Sequence, residues 1–289
     1  MKLFFIAAAL LAFPAIAAAQ SAPSPSPPAS AGAVPAPAAS ATPSAIGPAL
    51  FPNDPCTTLS AVVTRPTVTN AVCTIRPNHV EIEGGYQNTT YPGTGNTVAY
   101  PQPLIRVGTA LAGLEVQVSP PNLLRTSTGG PAIAGTSDSG FGLKYTLGAT
   151  PKLVYGVQVN YTAPTGTAAF SANAVQSIYA VQAGYTLGPV FSLTAGAQDQ
   201  ILAANGASYG SFVPSLVLGA SLPASFSAYA EAAQFTHALG PATPTRTQYI
   251  YGVSRDVGQR LQLDLEAGFS PTSATGRYHY VGFGFGYYF

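Results

Sequence analysis

The stretch His279–Phe289, HYVGFGFGYYF, decides the reading of the fold. Val281, Phe283, Phe285, Tyr287 and Phe289 share one parity, and Tyr280, Gly282, Gly284, Gly286 and Tyr288 share the other. Period two is the mark of a β-strand with one bulky apolar face and one small or polar face. A soluble domain usually ends on a frayed, polar tail. Here the residues run to Phe289 without one.

Working back from this strand, the same alternation recurs. RLQLDLEAGF sets Leu261, Leu263, Leu265 and Phe269 against Gln262, Asp264, Glu266 and Gly268. LVYGVQVNY, SGFGLKYTLG, GLEVQVS and HVEIEGGY behave alike. Twelve such segments are expected, near 79–86, 98–108, 114–119, 139–148, 153–162, 174–187, 190–198, 210–221, 225–235, 247–256, 260–269 and 278–289. Pro101 and Pro103 assign the start of the second to a loop or rim, because proline donates no ladder bond. The connections alternate between long and polar (QNTTYPGTGN; PPNLLRTSTGGPAIAGTSD, within 120–138) and short (GATPK, LPA). That pattern predicts an antiparallel meander with one elaborate end, and an even strand count puts both termini at the short-turn end.

Such a meander closes either as a water-soluble barrel with its apolar parity inward or as a membrane barrel with that parity on lipid. Only 7% of the 289 residues are charged, against about 25% in ordinary soluble domains. The polar parity is Gly, Gln, Asn, Thr and Ser, a poor water-facing surface. The fold class expected is therefore all-β, a transmembrane antiparallel barrel of about twelve strands over 79–289. Past the first 20 residues no apolar run is long enough for a membrane helix. In lipid the last strand must pair with the first, since open edges would strand backbone groups at several kcal/mol each.

Residues 1–19, with Lys2, an apolar run and Ala17-Ala18-Ala19, read as a secretory signal peptide. Residues 20–55 read as a disordered linker rich in Pro, Ala and Ser. Cys56 and Cys73 are the two cysteines of an exported chain, and predict one disulfide bounding a periplasmic segment over 56–78. Closing that loop would contribute roughly 3 kcal/mol in the chain-entropy model. Two thiolates without a nearby histidine make half a zinc site, so no metal is expected.

A C-terminal strand ending in phenylalanine, with apolar residues at alternate positions before it, resembles the assembly signal of Gram-negative outer-membrane barrels. The resemblance implies insertion by the barrel-assembly machinery, with Phe289 as the signal, outer-membrane lipid as the surroundings, and periplasmic N- and C-termini. More narrowly, SGFGLKYTLG, YTAPTGT and VSRDVGQRLQLDLEAGF…VGFGFGYYF resemble the MetA-pathway-of-phenol-degradation family of outer-membrane transporters over about 79–289. That resemblance implies a channel for small, hydrophobic or aromatic solutes. It carries no catalytic residues to transfer, and the linker and cysteine pair lie outside its pattern.

Strand parity points Glu81, Glu83, Glu115, Glu231, Asp264 and Glu266 into the lumen, against Arg106 and Lys144. Clustered carboxylates in a narrow pore prefer cations. The same groups also serve as ordinary filling, paired with one another and with water, and parity leaves both readings open. No enzyme and no cofactor are expected: His79, His237 and His279 lie in no nucleophile motif, and GFGFG is strand glycine, not a phosphate turn. A net charge of +1 removes the basic footprint of nucleic-acid binding. A barrel with a closed lumen, whose loops (120–138 among them) bind other molecules, is the alternative to a channel.

Overall fold

A computed structural model describes residues 54–65, 67–204, 207–271 and 276–289. The expected signal peptide and all but the last two residues of the expected linker lie outside them.

The wall begins with β1 (Val80–Tyr91), β2 (Gly95–Tyr100), β3 (Leu104–Gly108), β4 (Leu114–Ser119), β5 (Leu123–Ser127) and β6 (Ile133–Thr136). It continues with β7 (Ser139–Ala149), β8 (Leu153–Ala163), β9 (Gln176–Thr186), β10 (Phe191–Ala204) and β11 (Ala207–Leu222). Last come β12 (Phe226–Phe235), β13 (Arg246–Val257), β14 (Leu261–Ser270) and β15 (Tyr278–Tyr288). One four-residue helix, α1 (Leu59–Val62), precedes the strands. All pairings are antiparallel, and β15 pairs β1 from Glu81↔Tyr288 to Thr90↔His279. Twelve strands thus close into a barrel, in the order β1, β3, β4 and then β7 through β15.

The remaining three strands correct the sequence expectation. The connections QNTTYPGTGN and 120–138 are not plain loops. In its upper half β1 pairs β15 on one edge and β2 on the other, and β2 carries β5 and β6 in turn. The first half of β1 pairs β3 and the second half pairs β2. Period-two patterning is weak in these pieces because neither face is buried in a core.

Burial is inside out. Outward residues such as Leu143, Val181, Leu216, Leu265 and Phe283 are half-exposed, and Phe283 reaches 57%. Inward residues are mostly polar and buried: Gln117, Thr146, Gln158, Gln182, Gln198, Ser215 and Gln262 among them. The apolar parity therefore forms a band round the outside, and the exposed Asp199 on β10 is an acid on that outward parity. Phe289 continues β15, donates its N–H to the Val80 carbonyl at 2.8 Å, and lies edge-on to Tyr287.

Residues 54–78 hold a further surprise. The sequence sets this cysteine-bounded segment apart from the barrel. In the structure it packs inside, against inward residues of β1, β4, β7, β11, β12 and β14, all towards the short-turn end. Cys56 and Cys73 are joined by a disulfide. Leu59, Val62, Val63, Val72 and Ile75 form with them a small apolar core within the lumen, which also takes in Val154 and Tyr288 from the wall.

Candidate functional site in the lumen

The glycines of the last strand show why the segment fits. A Cβ on Gly284 would overlap Arg65, and one on Gly286 would lie 2.9 Å from Val63. A side chain on either would push the segment away, so the small parity of HYVGFGFGYYF is a seat for the plug.

All eight charged candidates face inward and are buried: Glu81, Glu83, Arg106, Glu115, Lys144, Glu231, Asp264 and Glu266. They do two jobs. The first is to clamp plug backbone. Glu83 accepts the N–H groups of Thr64 and Arg65 at 2.8 and 2.9 Å. Glu231 accepts those of Val68 and Thr69 at 2.8 and 2.7 Å, and the Thr69 hydroxyl at 2.7 Å. Glu115 accepts the Ile75 N–H at 2.7 Å. Lys144 donates to the Cys73 carbonyl at 3.0 Å, and the Thr146 hydroxyl donates to the Val72 carbonyl at 3.1 Å.

The second job is charge pairing. Arg106 sits among Glu81, Glu83 and Glu115 at 2.7, 3.2 and 2.9 Å, and also donates to the carbonyls of Val62 and Cys73. Register explains the cluster: Glu81 pairs Arg106 across β1–β3, Arg106 pairs Gln117 across β3–β4, and Glu115 pairs Lys144 across β4–β7. Asp264 and Glu266 face Arg65 of the plug at 3.5 and 3.8 Å. A buried charge needs this kind of compensation, since an unpaired one costs several kcal/mol.

An amide ladder continues across the wall. Gln158 donates to Gln117 at 3.0 Å, Gln182 donates to Gln158 at 3.2 Å, and Asn70 of the plug donates to Gln158 at 3.1 Å. Parity alone points these amides inward, but it does not say that a separate segment comes to meet them. Arg65, Thr69 and Thr146 were not legible as site residues for the same reason.

The plug is bonded to β1, β3, β4, β7, β11, β12 and β14. Between it and the facing wall lies a cavity of about 320 Å³. Thr69 and Tyr229 line its inner end, and Lys152, Thr186 and Ser221 its short-turn end. Small hydroxylated residues such as Ser192, Thr194 and Ser227 form much of its wall. Beyond the plug, on the long-loop side, the lining turns aromatic. Tyr278 donates to Gln248 at 2.7 Å and lies 5.8 Å from Tyr91, ring centre to ring centre. Ile250, Tyr278 and Tyr280 pack together, with Val68 of the plug and Tyr229 against them.

His79 stacks on Tyr288 at 5.2 Å, and His237 contacts the Gly210 carbonyl at 3.0 Å. Among the described residues no group of three or more His, Cys, Asp or Glu side chains is arranged to hold a metal.

Fold and lumen together define a closed, internally plugged twelve-stranded antiparallel barrel. No family model matches the chain, and no curated protein matches it in sequence. Solved structures match in fold. The COG4313 outer membrane channel from Pseudomonas putida F1 aligns with a TM-score of 0.58 at 14% identity, over 78% of this chain and 100% of that one. The KdgM porin in complex with disordered oligogalacturonate aligns at 0.51 and 9% identity, over 72% and 98%.

Proposed function

We propose that this chain is an outer-membrane channel of a Gram-negative bacterium that passes small solutes, hydrophobic or aromatic ones included, along the gap between plug and wall. The observation that carries the reading is the cavity of about 320 Å³ beside the plug, reaching the short-turn end with a lining of hydroxyls and small side chains. The outward apolar band suits hydrocarbon, and the short turns with both strand termini suit the periplasmic side. Outer-membrane lipid, the barrel-assembly machinery and the solute are its partners on this reading. The aromatic lining above the plug gives flat or apolar solutes a surface to slide on.

Planar-bilayer recording tests it. The intact chain should give small, steady single-channel steps. A variant lacking residues 57–72 should give steps several-fold larger. Silence from both would leave the second reading, a closed barrel displaying β2, β5 and β6 as a surface for other molecules. The exposed faces of β5 and β6 at the long-loop end are what favour it.

A further inference from the structure

The ten acidic side chains all fall within the described residues, so the charge lining of the lumen can be followed completely. Those facing the plug are engaged as described above, and Asp54 of the plug itself faces Arg76 at 3.5 Å. Of the rest, Asp138 holds a loop by accepting N–H groups of Gly166 and Ala172. Asp199 faces outward, and Asp256 sits at the short-turn end with Gln262. The inward wall on the long-loop side of the plug therefore carries no carboxylate.

It does carry a cation. Arg246 opens β13 on the inward parity, directly across from Phe235. Its guanidinium lies 5.3 Å from the Phe235 ring and 5.1 Å from the Tyr278 ring. It makes no ion pair or hydrogen bond among the described residues, and its Nε is buried without an acceptor. The other lumenal arginines are paired: Arg65 and Arg106 each face two or more carboxylates, and Arg76 faces Asp54. Arg125 and Arg277 add exposed positive charge at the same end.

We propose that Arg246, collared by Phe235 and Tyr278, is a binding site for small organic anions, carboxylates on a flat apolar body, on their way through the barrel. The site rests on the channel reading and names its solute class. The chemistry is direct. A guanidinium with unspent donors takes a carboxylate in a forked pair. The two rings offer apolar faces to the rest of the solute. Positive charge with no carboxylate beside it draws anions towards it. This reverses the cation preference that counting inward acids suggests, because those acids are engaged by the plug and by Arg106.

The test is calorimetric titration of the detergent-purified full barrel with benzoate, which needs no conduction. The parent should bind benzoate at least about tenfold more tightly than benzamide, its neutral counterpart. Arg246→Gln should weaken benzoate about tenfold or more, as loss of a charged hydrogen-bonded partner does. Arg255→Gln should leave binding unchanged: Arg255 also sits over a phenylalanine, Phe226 at 5.1 Å, but on the outward face. Equal affinity for benzoate and benzamide, or full benzoate affinity in Arg246→Gln, overturns the site. The parent comparison decides the matter even if that variant does not fold. Benzoate binding with no conductance would keep the site and sink the channel; conductance without binding would do the reverse.

Discussion

Glu231 takes three hydrogen bonds from two consecutive plug residues, and a carboxylate is the side chain that can do so: it accepts at both oxygens and donates nothing. An amide keeps one accepting oxygen and turns the other position into a donor facing another donor. Glu231→Gln should therefore loosen the plug locally without opening the wall. Hydrogen bonds to charged groups contribute about 1.5–3 kcal/mol each. Exchange of the Val68 and Thr69 amides should speed up by about tenfold or more, while strand amides of β12 keep their protection. Unchanged exchange at Val68 and Thr69 would show that the clamp holds nothing. The inward direction of Glu231 is legible in sequence parity, but its partners are not, because they lie more than 160 residues away in a segment with no period of its own.

At the scale of elements, β15 serves two sides. Its outward row, Val281 to Phe289, belongs to the apolar band, and its glycines seat the plug. Phe289 lies at the strand end, where a charge costs about 0–1 kcal/mol even for Arg or Lys, against about 2–4 at the midplane. Phe289→Asp should therefore lower outer-membrane levels sharply in cells, yet leave the purified barrel nearly as stable as the parent. Phe285→Asp, deeper in the same row, should lower stability directly on refolding in lipid. Normal cellular levels of the first variant together with parent-like refolding of the second would remove the lipid-facing assignment of this strand.

The loop after β8 has a pH response of its own. Burial pushes the Asp138 carboxyl up, but the N–H groups of Ala172 and Gly166 outweigh it and hold the pKa below the usual aspartate range. A depressed folded pKa contributes stability that is present above the unfolded value of about 3.9 and is lost as pH falls through the folded one. Acidification below about pH 4 should expose residues 163–172 to protease while the barrel stays closed. Asp138→Asn should make the same loop protease-sensitive at neutral pH and remove the acid response. Equal resistance of parent and variant at pH 7 would show that Asp138 does not hold the loop.

For the whole molecule, closure by β1 and β15 leaves no free edge in the wall, so unfolding has to break the ladder cooperatively. Unheated protein in detergent should therefore run at a different gel mobility from boiled protein, and cell fractionation should recover it with the outer membrane. Recovery as a soluble protein with a single mobility would refute the membrane barrel. The strand rhythm, the two faces of each strand, the long and short ends, and the inward parity of the charged candidates are legible in the residues. All of these follow from period two and turn chemistry, which are local. Not legible there is that the described residues of 54–78 lie within the lumen, that the inward acids are engaged by that segment and by Arg106, and that Arg246 meets no carboxylate among the described residues. A segment without periodicity is placed by complementarity of shape and hydrogen bonding with the surface that receives it. That surface comes into being when distant strands close.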